Sequence, residues 1–360
     1  TQASAITTSQ MKGLTLTQLG GLTSTFLGEL SSTQLGALSA AQFNAIGSTN
    51  LARLATTQIT GVNSTQLSGL STTNLAALTS TDVGLINTTQ LQGLTKTQIA
   101  AFSTTEFGEL QNTQLQGLNA TQIGALSTTN LASLTSTQVA LLNTTQIKGL
   151  TATQLKAFTT TQVGELTTTQ VGALTNTQVA ALSSTNVAAL SSSQIAQLST
   201  TQFKALTTTQ LGGLTTTDMT ELASTQVAAL GSTQLAALTS SAVSALTSTQ
   251  ISGLNATQIH GFTGTQLGGL TSTDFAELTS TQIGELTSTQ LGKFTTTVIG
   301  ALSATEVAAL QASQIPGLTT TQLTQLTTTN ISAMNTTQKN AFNTTQVQSF
   351  NNAQVSAYLA

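Results

Sequence analysis

The sequence contains no cysteine, no tryptophan, one proline and few charged residues. Without cysteine, the chain can form neither disulfides nor thiolate metal sites. Charged residues make up 5% of the chain, whereas soluble proteins usually carry about 25%. The surface must therefore consist mainly of Thr, Ser, Gln and Asn. The formal net charge of −3 gives no electrostatic basis for binding nucleic acid, so we expect no nucleic-acid partner.

Long apolar runs are also missing. Nowhere do eighteen consecutive apolar residues occur, so we expect no membrane insertion. The first six residues, 1–6, lack a basic region followed by an apolar run. The start of the sequence therefore does not read as a signal peptide.

A repeat of eight residues runs through the whole chain without insertion or deletion, giving forty-five octads. We number the octad positions 1 to 8, with Ser31 at position 1 and Leu38 at position 8. Position 8 is apolar in all forty-five octads, and position 5 is apolar in all but one, where Lys339 stands. Such regularity is typical of a solenoid, so we expect a single domain over residues 1–360. The length of 360 residues is a whole number of octads, which leaves open that the chain is a segment of a longer protein.

The spacing of the apolar residues, three and then five, fits neither a continuous strand nor a continuous helix. An odd spacing puts apolar residues on opposite faces of a strand, and eight helical residues rotate an apolar stripe by about 80°. Position 1 is Thr, Ser, Asn or Gly in forty of forty-four octads, and Gln or Glu usually follows three residues later. These are the N-cap and capping-box signals of a helix that restarts in every octad.

We therefore predict an all-α solenoid, or superhelix, of very short capped helices, one per octad, each of one and a half to two turns. Two observations favour the alternative, a β-solenoid. Threonine favours strands over helices, and Pro316 falls at the fifth position of a predicted helix, where it lacks a donor N–H.

Three further columns predict which way side chains point. Thr occupies position 3 in thirty-eight of forty-four octads, and we interpret this regularity as partial burial. Positions 6 and 7 are mostly Gly, Ala or Ser, which would let neighbouring helices approach closely. The same two columns carry most of the charge, including Lys148 and Glu109, so they must also reach water.

A longer period, of seven octads, overlies the octad between about residues 63 and 290. Glu109, Glu165, Glu221 and Glu277 follow one another at this interval. Either a seven-octad block was duplicated, or seven octads complete a whole number of superhelical turns. The last octads change character, with several Asn residues and with Phe and Tyr at position 8, so residues 335–360 form a possible C-terminal capping region.

The sequence offers little from which to build a catalytic or ligand site. His260 is the only histidine and lies in a predicted water-facing column. A general base needs an orienting carboxylate and a nucleophile, and Asp274 is merely the nearest acid in sequence. The acidic residues are widely spaced, and the Gly pairs occupy the small-residue columns. We therefore expect no catalytic, cofactor-binding or metal-binding residues, no cofactor and no enzymatic activity.

Octads such as Leu166-Thr167-Thr168-Thr169-Gln170-Val171-Gly172-Ala173-Leu174 resemble the Thr/Gln/Leu-rich octapeptide-repeat arrays of very large bacterial surface or secreted proteins, which are often called adhesin-like. The resemblance covers the whole chain but rests on one low-complexity motif. It implies an extracellular or cell-surface location and a role as a stalk, matrix or filament component.

Together these observations predict an extracellular structural repeat protein that forms a rod, a stalk or a self-assembling filament or matrix element. Self-association into a homo-oligomer or filament is the expected partnership, because a uniform surface offers the same weak contact many times. The alternative is a surface-binding module that contacts a glycan, a cell surface or ice through its Thr-rich face. Outward Thr on a flat face would favour ice binding, and we expect the most regular Thr to point inward.

Overall fold

The computed structural model describes residues 2–360, and the chain divides into two compact units, Thr1–Ala181 and Leu182–Ala360. Each described octad forms one short helix, and no strand occurs in residues 2–360. The predicted all-α solenoid of capped helices is confirmed, and the β-solenoid alternative is wrong for the part of the chain described.

The helices follow one another along both units with the same spacing. The first unit contains the 3₁₀ helix Ala3–Ala5 and the α-helices Thr8–Gly13, Leu16–Gly20, Ser24–Gly28, Ser32–Gly36, Ala40–Ala45, Ser48–Leu51, Thr56–Ile59, Ser64–Ser68, Thr72–Leu75, Ser80–Leu85, Thr88–Gln92, Lys96–Ala100, Thr104–Gly108, Asn112–Gly117, Ala120–Ile123, Thr128–Ala132, Ser136–Leu141, Thr144–Gly149, Ala152–Ala157, Thr160–Gly164, Thr168–Ala173 and Asn176–Ala181. The second unit contains the 3₁₀ helix Ala312–Gly317 and the α-helices Ser184–Ala188, Ser192–Ala196, Thr200–Lys204, Thr208–Leu211, Thr216–Glu221, Ser224–Ala228, Ser232–Ala236, Ser240–Ser244, Ser248–Ser252, Ala256–His260, Gly264–Gly269, Ser272–Ala276, Ser280–Glu285, Ser288–Leu291, Thr296–Gly300, Ala304–Ala309, Thr320–Leu323, Thr328–Ala333, Thr336–Lys339, Thr344–Gln348 and Asn352–Leu359.

The capping box starts these helices as the sequence predicts. In the octad of helix Lys96–Ala100, the Gln98 N–H donates to Thr95 Oγ1 at 3.3 Å, and the Thr95 N–H donates to Gln98 Oε1 at 2.8 Å. Ala55 has no side-chain oxygen to accept a bond, but its N–H still donates to Gln58 Oε1 at 2.8 Å. Half of the box therefore survives where the N-cap side chain has no oxygen.

Many helices are shorter than predicted, although others, such as Thr8–Gly13 with 6 residues, reach the predicted length. The α-helix Ser64–Ser68 has 5 residues, and others, such as Thr72–Leu75, have 4. Each octad closes through a tighter bond, as from the Leu70 N–H to Leu67 O at 3.1 Å, and the chain then becomes extended at the next cap. At Pro316 the octad becomes the 3₁₀ helix Ala312–Gly317, because proline has no N–H for an α-helical bond.

Positions 5 and 8 form the core of both units. Leu35 is 0% exposed and Leu38 is 3% exposed, and the same two columns are buried in nearly every octad. The apolar residue before each cap and the one in the following helix have the spacing of a hydrophobic staple. A single short helix could not bury them, since its folding nucleus is too costly to form alone. Stability therefore comes from stacking octads on one another.

Octads stack so that each helix lies against the junction between two later helices. Around helix Ser64–Ser68, a Cβ built on Gly93 would lie 2.6 Å from Ser64 Cβ, so the octad three positions later packs against the helix start. The Gln98 side chain, four octads later, donates to the carbonyls of Leu67 and Leu70 at the helix end. One superhelical turn therefore takes about three and a half octads.

The second unit repeats this arrangement. A Cβ on Gly261 would lie 2.7 Å from Ser232 Cβ, and Gln266 donates to the carbonyls of Leu235 and Leu238. In each unit, seven octads therefore take about two turns. The seven-octad period of the sequence matches this geometry, which is the structural explanation that the sequence left open beside duplication.

The prediction of an inward Thr column is wrong. The residue at position 3 is exposed in every octad from Ser9 to Ala353, including Thr97 and Thr265. The buried polar column is position 4 instead, where Gln98 and Gln266 are each 2% exposed. One step along a short helix turns the side chain by about 100°, so adjacent columns face different environments.

Candidate functional site

The glutamine at position 4 joins successive superhelical turns. Gln98 Oε1 accepts the cap N–H of its own octad, while Nε2 donates to Leu67 O at 2.7 Å and to Leu70 O at 2.8 Å. The two carbonyls lie at the end of an earlier helix, where Leu67 O also accepts the Leu70 N–H at 3.1 Å. One amide group thus caps the start of one helix and the end of another, and both of its N–H donors are used.

The amide is required for this double role. Position 4 is Gln in thirty-two octads and Asn in five, but Glu in only two and Asp in three. A capping box alone accepts Glu as readily as Gln, so this preference was the sequence signal for the second bond. At Asn130 the shorter amide reaches one carbonyl, that of Phe102, at 2.9 Å. At Glu106 the carboxylate keeps its bond from the Ser103 N–H at 2.7 Å.

The outer surface of each unit is made of hydroxyl and small side chains. Positions 1 and 3 are mostly exposed, and position 2 is exposed or half-buried, as in Thr95, Lys96 and Thr97. The hydroxyl at position 1 caps its helix, whereas position 3 points away from the backbone bonds of the octad. Each superhelical turn contains three to four octads. The position 3 side chains therefore point in different directions around the superhelix axis instead of lying in one plane.

His260 lies on this surface, as predicted. It is exposed, and its Nε2 lies 2.5 Å from the backbone oxygen of Glu285, in the next turn. Asp274, the nearest acid in sequence, instead accepts hydrogen bonds from the Thr271 N–H and from the Ser244 hydroxyl. The structure therefore does not bring the histidine and this carboxylate together as a hydrogen-bonded pair.

Within residues 2–360, Glu277 is the acidic residue with a buried oxygen that has no hydrogen-bond partner. Its Oε2 is buried without a hydrogen-bond partner, although the residue as a whole is half-buried. Burial raises the pKa of this carboxyl, and the nearby charge of Asp274 raises the pKa further. The group therefore binds its proton more tightly than an exposed glutamate does.

Some of the surface depressions are shallow grooves between successive turns. One in the second unit, of about 420 Å³, is lined by Thr216, Ser240, Ser241, Ser244, Ala245 and Gly269. Within residues 2–360, no three His, Cys, Asp or Glu side chains gather in a group that could hold a metal ion. No helix in that range has the length and apolarity needed to cross a bilayer.

Comparison with known proteins supports the repeat architecture. The family model named ALTTAQ repeat matches residues 152–184, 168–200 and 179–216. The chain is a tandem-repeat protein. The matched stretches overlap and cover well under half of the chain, so they show similarity to this repeat around the middle of the sequence. No curated protein matches the chain.

In this tandem-repeat protein, the position 1 residues cap the helices and the apolar residues at positions 5 and 8 form the core, as the sequence predicted. Lys148 and Glu109 are exposed, so the charged columns reach water as predicted. Sequence reasoning missed the buried amide column and its link between turns.

Proposed function

We propose that this tandem-repeat protein is an extracellular or cell-surface structural element, a stalk or rod that associates with copies of itself. The observation that carries the proposal is the repeated exterior. Each octad presents the same exposed position 3 side chain, Thr97 and Thr105 being examples, on a helix of the same construction. A contact between two such surfaces recurs with every octad, and many weak contacts acting together give strong association.

Low charge supports self-association. With 5% charged residues and a net charge of −3, copies repel one another weakly, and proteins with net charge near zero tend to associate. In this proposal the chain carries out no reaction and needs no cofactor.

Concentration-dependent assembly tests the proposal. Sedimentation velocity over a wide concentration range, with negative-stain microscopy of the same samples, should show oligomers growing into bundles or filaments. A monomer that persists at high concentration, without filaments, would remove self-association and leave a passive stalk.

A second candidate function is binding to another surface through exposed Thr. The outward position 3 column, contrary to our expectation, supports it. The distribution of these side chains around the turn, with three to four octads per turn, counts against a flat lattice match of the kind that ice binding needs. A glycan array and a thermal-hysteresis assay distinguish this function from self-association, and replacement of several position 3 Thr by Val should abolish any signal found.

A further inference from the structure

A turn of about three and a half octads converts sequence position into direction around the superhelix axis. The bonds from Gln98 to Leu67 and Leu70 join residues 31 and 28 positions apart, and those from Gln266 to Leu235 and Leu238 have the same separations. Within one unit, residues separated by a whole number of turns lie on the same side. Residues separated by half a turn, with or without further whole turns, lie on opposite sides.

The acidic residues of the first unit lie on one side. Glu109 and Glu165 are exposed and are seven octads apart, which is two turns. Glu29, also exposed, precedes Glu109 by ten octads, half an octad short of three turns. The buried Asp82 and Glu106 point in nearly the same direction around the axis as Glu109: apart from whole turns, each is less than half an octad from it.

The lysines of the first unit lie on the other side. Lys12 and Lys96 are exposed and are separated by three turns. Lys148 and Lys156 are also exposed, and apart from whole turns each lies half an octad to one side of the direction of Lys12 and Lys96. Lys96 precedes Glu109 by slightly more than one and a half octads, close to half a turn.

The second unit is divided in the same way. The exposed Glu221 and the half-buried Glu277 are seven octads apart. Lys204 precedes Glu221 by about two octads, and Lys293 follows Glu277 by two octads, so each exposed lysine lies near the opposite side. Glu285 lies between the two sides. In the first unit, we call the side with Glu29, Glu109 and Glu165 the glutamate face and the side with the exposed lysines the lysine face. In the second unit, the glutamate face is the side with Glu221, and the lysine face is the side with Lys204 and Lys293.

We propose that copies of this protein associate side by side, with the glutamate face of a unit in one copy against the lysine face of a unit in the next copy. This inference rests on the proposed self-association and adds which surfaces meet. The two faces differ, so the contact is heterologous, and a heterologous contact that does not close into a ring generates open assemblies. Charge complementarity then fixes which sides meet, while the uniform hydroxyl surface between them supplies no such preference.

Salt dependence is the first test, and it uses the unmodified chain. Raising NaCl from about 0.01 M to about 1 M shortens the screening length from about 30 Å to about 3 Å. Sedimentation equilibrium should show the association constant falling by at least about tenfold over this range. Association that is unchanged by salt would overturn the charge-directed contact while leaving the proposed function in place.

A matched pair of substitutions separates the two faces. Lys96→Glu and Arg53→Glu make the same charge change at exposed sites of the first unit. Arg53, however, lies seven octads before Glu109, on the glutamate face. Lys96→Glu should weaken association, whereas Arg53→Glu should leave it unchanged or strengthen it. Equal weakening by both would show that net charge, not the position of the charge, controls association.

Complementary multiple variants test the pairing itself. The first replaces the exposed lysines by Glu at Lys12, Lys96, Lys148, Lys156, Lys204 and Lys293, and the second replaces the glutamates of the glutamate face by Lys at Glu29, Glu109, Glu165 and Glu221. At low salt each variant alone should associate at least about tenfold more weakly than the unmodified chain, and an equimolar mixture should recover association.

Other outcomes of these experiments distinguish the charge-directed contact from self-association in general. Circular dichroism first checks that both multiple variants keep the helical spectrum. If one of them does not fold, the comparison of Lys96→Glu with Arg53→Glu tests the inference instead. Variants that each associate as well as the unmodified chain overturn the inference alone. An unmodified chain that never associates, at any salt concentration, overturns both this inference and the proposed self-association.

Discussion

Among single residues, the polar side chain at position 4 controls how one turn recognises the next. The apolar columns bury area but tolerate small displacements, because dispersion contacts have little directionality. The bonds of the Gln98 amide have defined geometry, and its side chain is 2% exposed. An unpaired carbonyl in that interior would cost about 1–3 kcal/mol. The amide therefore specifies the register between turns as well as stabilising it.

Replacing this amide by a carboxylate tests its double role. Gln98→Glu keeps an acceptor for the Thr95 N–H but loses the donor to Leu67 O and Leu70 O. We expect a loss of at least about 2 kcal/mol, measured from urea unfolding followed by far-UV circular dichroism. The control is Gln10→Glu, where Gln10 has the same box bonds to Thr7 but is exposed. An equal effect at both sites would mean that the capping box alone matters.

The pKa of Glu277 gives a prediction about pH. Burial, and then the charge of Asp274, raise the pKa of this carboxyl in the folded state. Folding is therefore more favourable when Glu277 is protonated, and stability declines as the pH rises from its unfolded pKa, about 4.3, through its higher folded pKa. Glu277→Gln should raise the thermal midpoint at pH values above the folded pKa and have a smaller effect at pH values below the unfolded pKa.

Glu221→Gln is the matched control for this pH dependence. Glu221 lies at the same octad position, seven octads earlier, and is exposed. We expect its replacement to leave the thermal midpoint unchanged across the pH range. A Glu277→Gln midpoint that follows that of the unmodified chain at every pH would show that the buried oxygen carries no penalty.

Between helices, close packing of successive turns limits the size of position 7. The start of helix Ser64–Ser68 touches the backbone at Gly93, where an added Cβ would meet Ser64 Cβ at 2.6 Å and Ser64 O at 2.8 Å. Position 7 also carries charge in other octads, as at Glu109, which is exposed. Position 7 therefore lies against an earlier helix in some octads and reaches solvent in others. Glycine is needed only where the two backbones come closest.

The substitution Gly93→Ala tests this packing. The added methyl group must push apart two backbone segments, so we expect a loss of about 1–3 kcal/mol, measured as a shift of the urea midpoint. Gly13→Ala is the control at the same octad position, because a Cβ there meets nothing within 4 Å. Since alanine favours helix over glycine by about 1 kcal/mol, Gly13→Ala should be neutral or stabilising. Equal losses at the two sites would contradict the close approach.

Across the whole molecule, the octad is the unit that can be added or removed. Every interior octad finds its partners three and four octads away, so the same contacts re-form whichever octads are neighbours. In the last octads, Lys339 Nζ donates to Ala357 O at 3.0 Å, and Phe342, Phe350 and Tyr358 form an aromatic cluster. These contacts support the prediction of a capping region at residues 335–360, which stays a prediction.

Deletions of different length test this modularity. Removing the octad 127–134 leaves every remaining octad with partners three and four octads away, so the helical spectrum should persist with a small change in thermal midpoint. Removing only residues 127–130 joins Leu126 to Leu131 and misplaces the apolar columns on one side of the cut. The shorter deletion should lower the midpoint more than the longer one. The opposite order would argue against octad stacking.

Local structure was predictable from the sequence because its signals act within one octad. Caps, boxes and staples need no distant partner, so residues such as Thr95 and Gln98 predicted helix starts. The apolar columns at positions 5 and 8 predicted the core for the same reason. Many helices proved shorter than predicted because the closing residues of the octad form a tighter turn, in which the N–H bonds to the carbonyl three residues earlier instead of four.

Packing between octads determined which polar column faces inward and how many octads make a turn. Thr97 and Gln98 are adjacent and their columns are similarly regular in sequence. Only Gln98, however, has an amide NH2 group that can donate to Leu67 O and Leu70 O in the preceding turn. The length of the turn likewise depends on how helices pack, which no single octad encodes. Because the bonds between turns join residues 28 and 31 positions apart, the separation of Lys96 from Glu109 onto opposite faces is a property of the stacked chain alone.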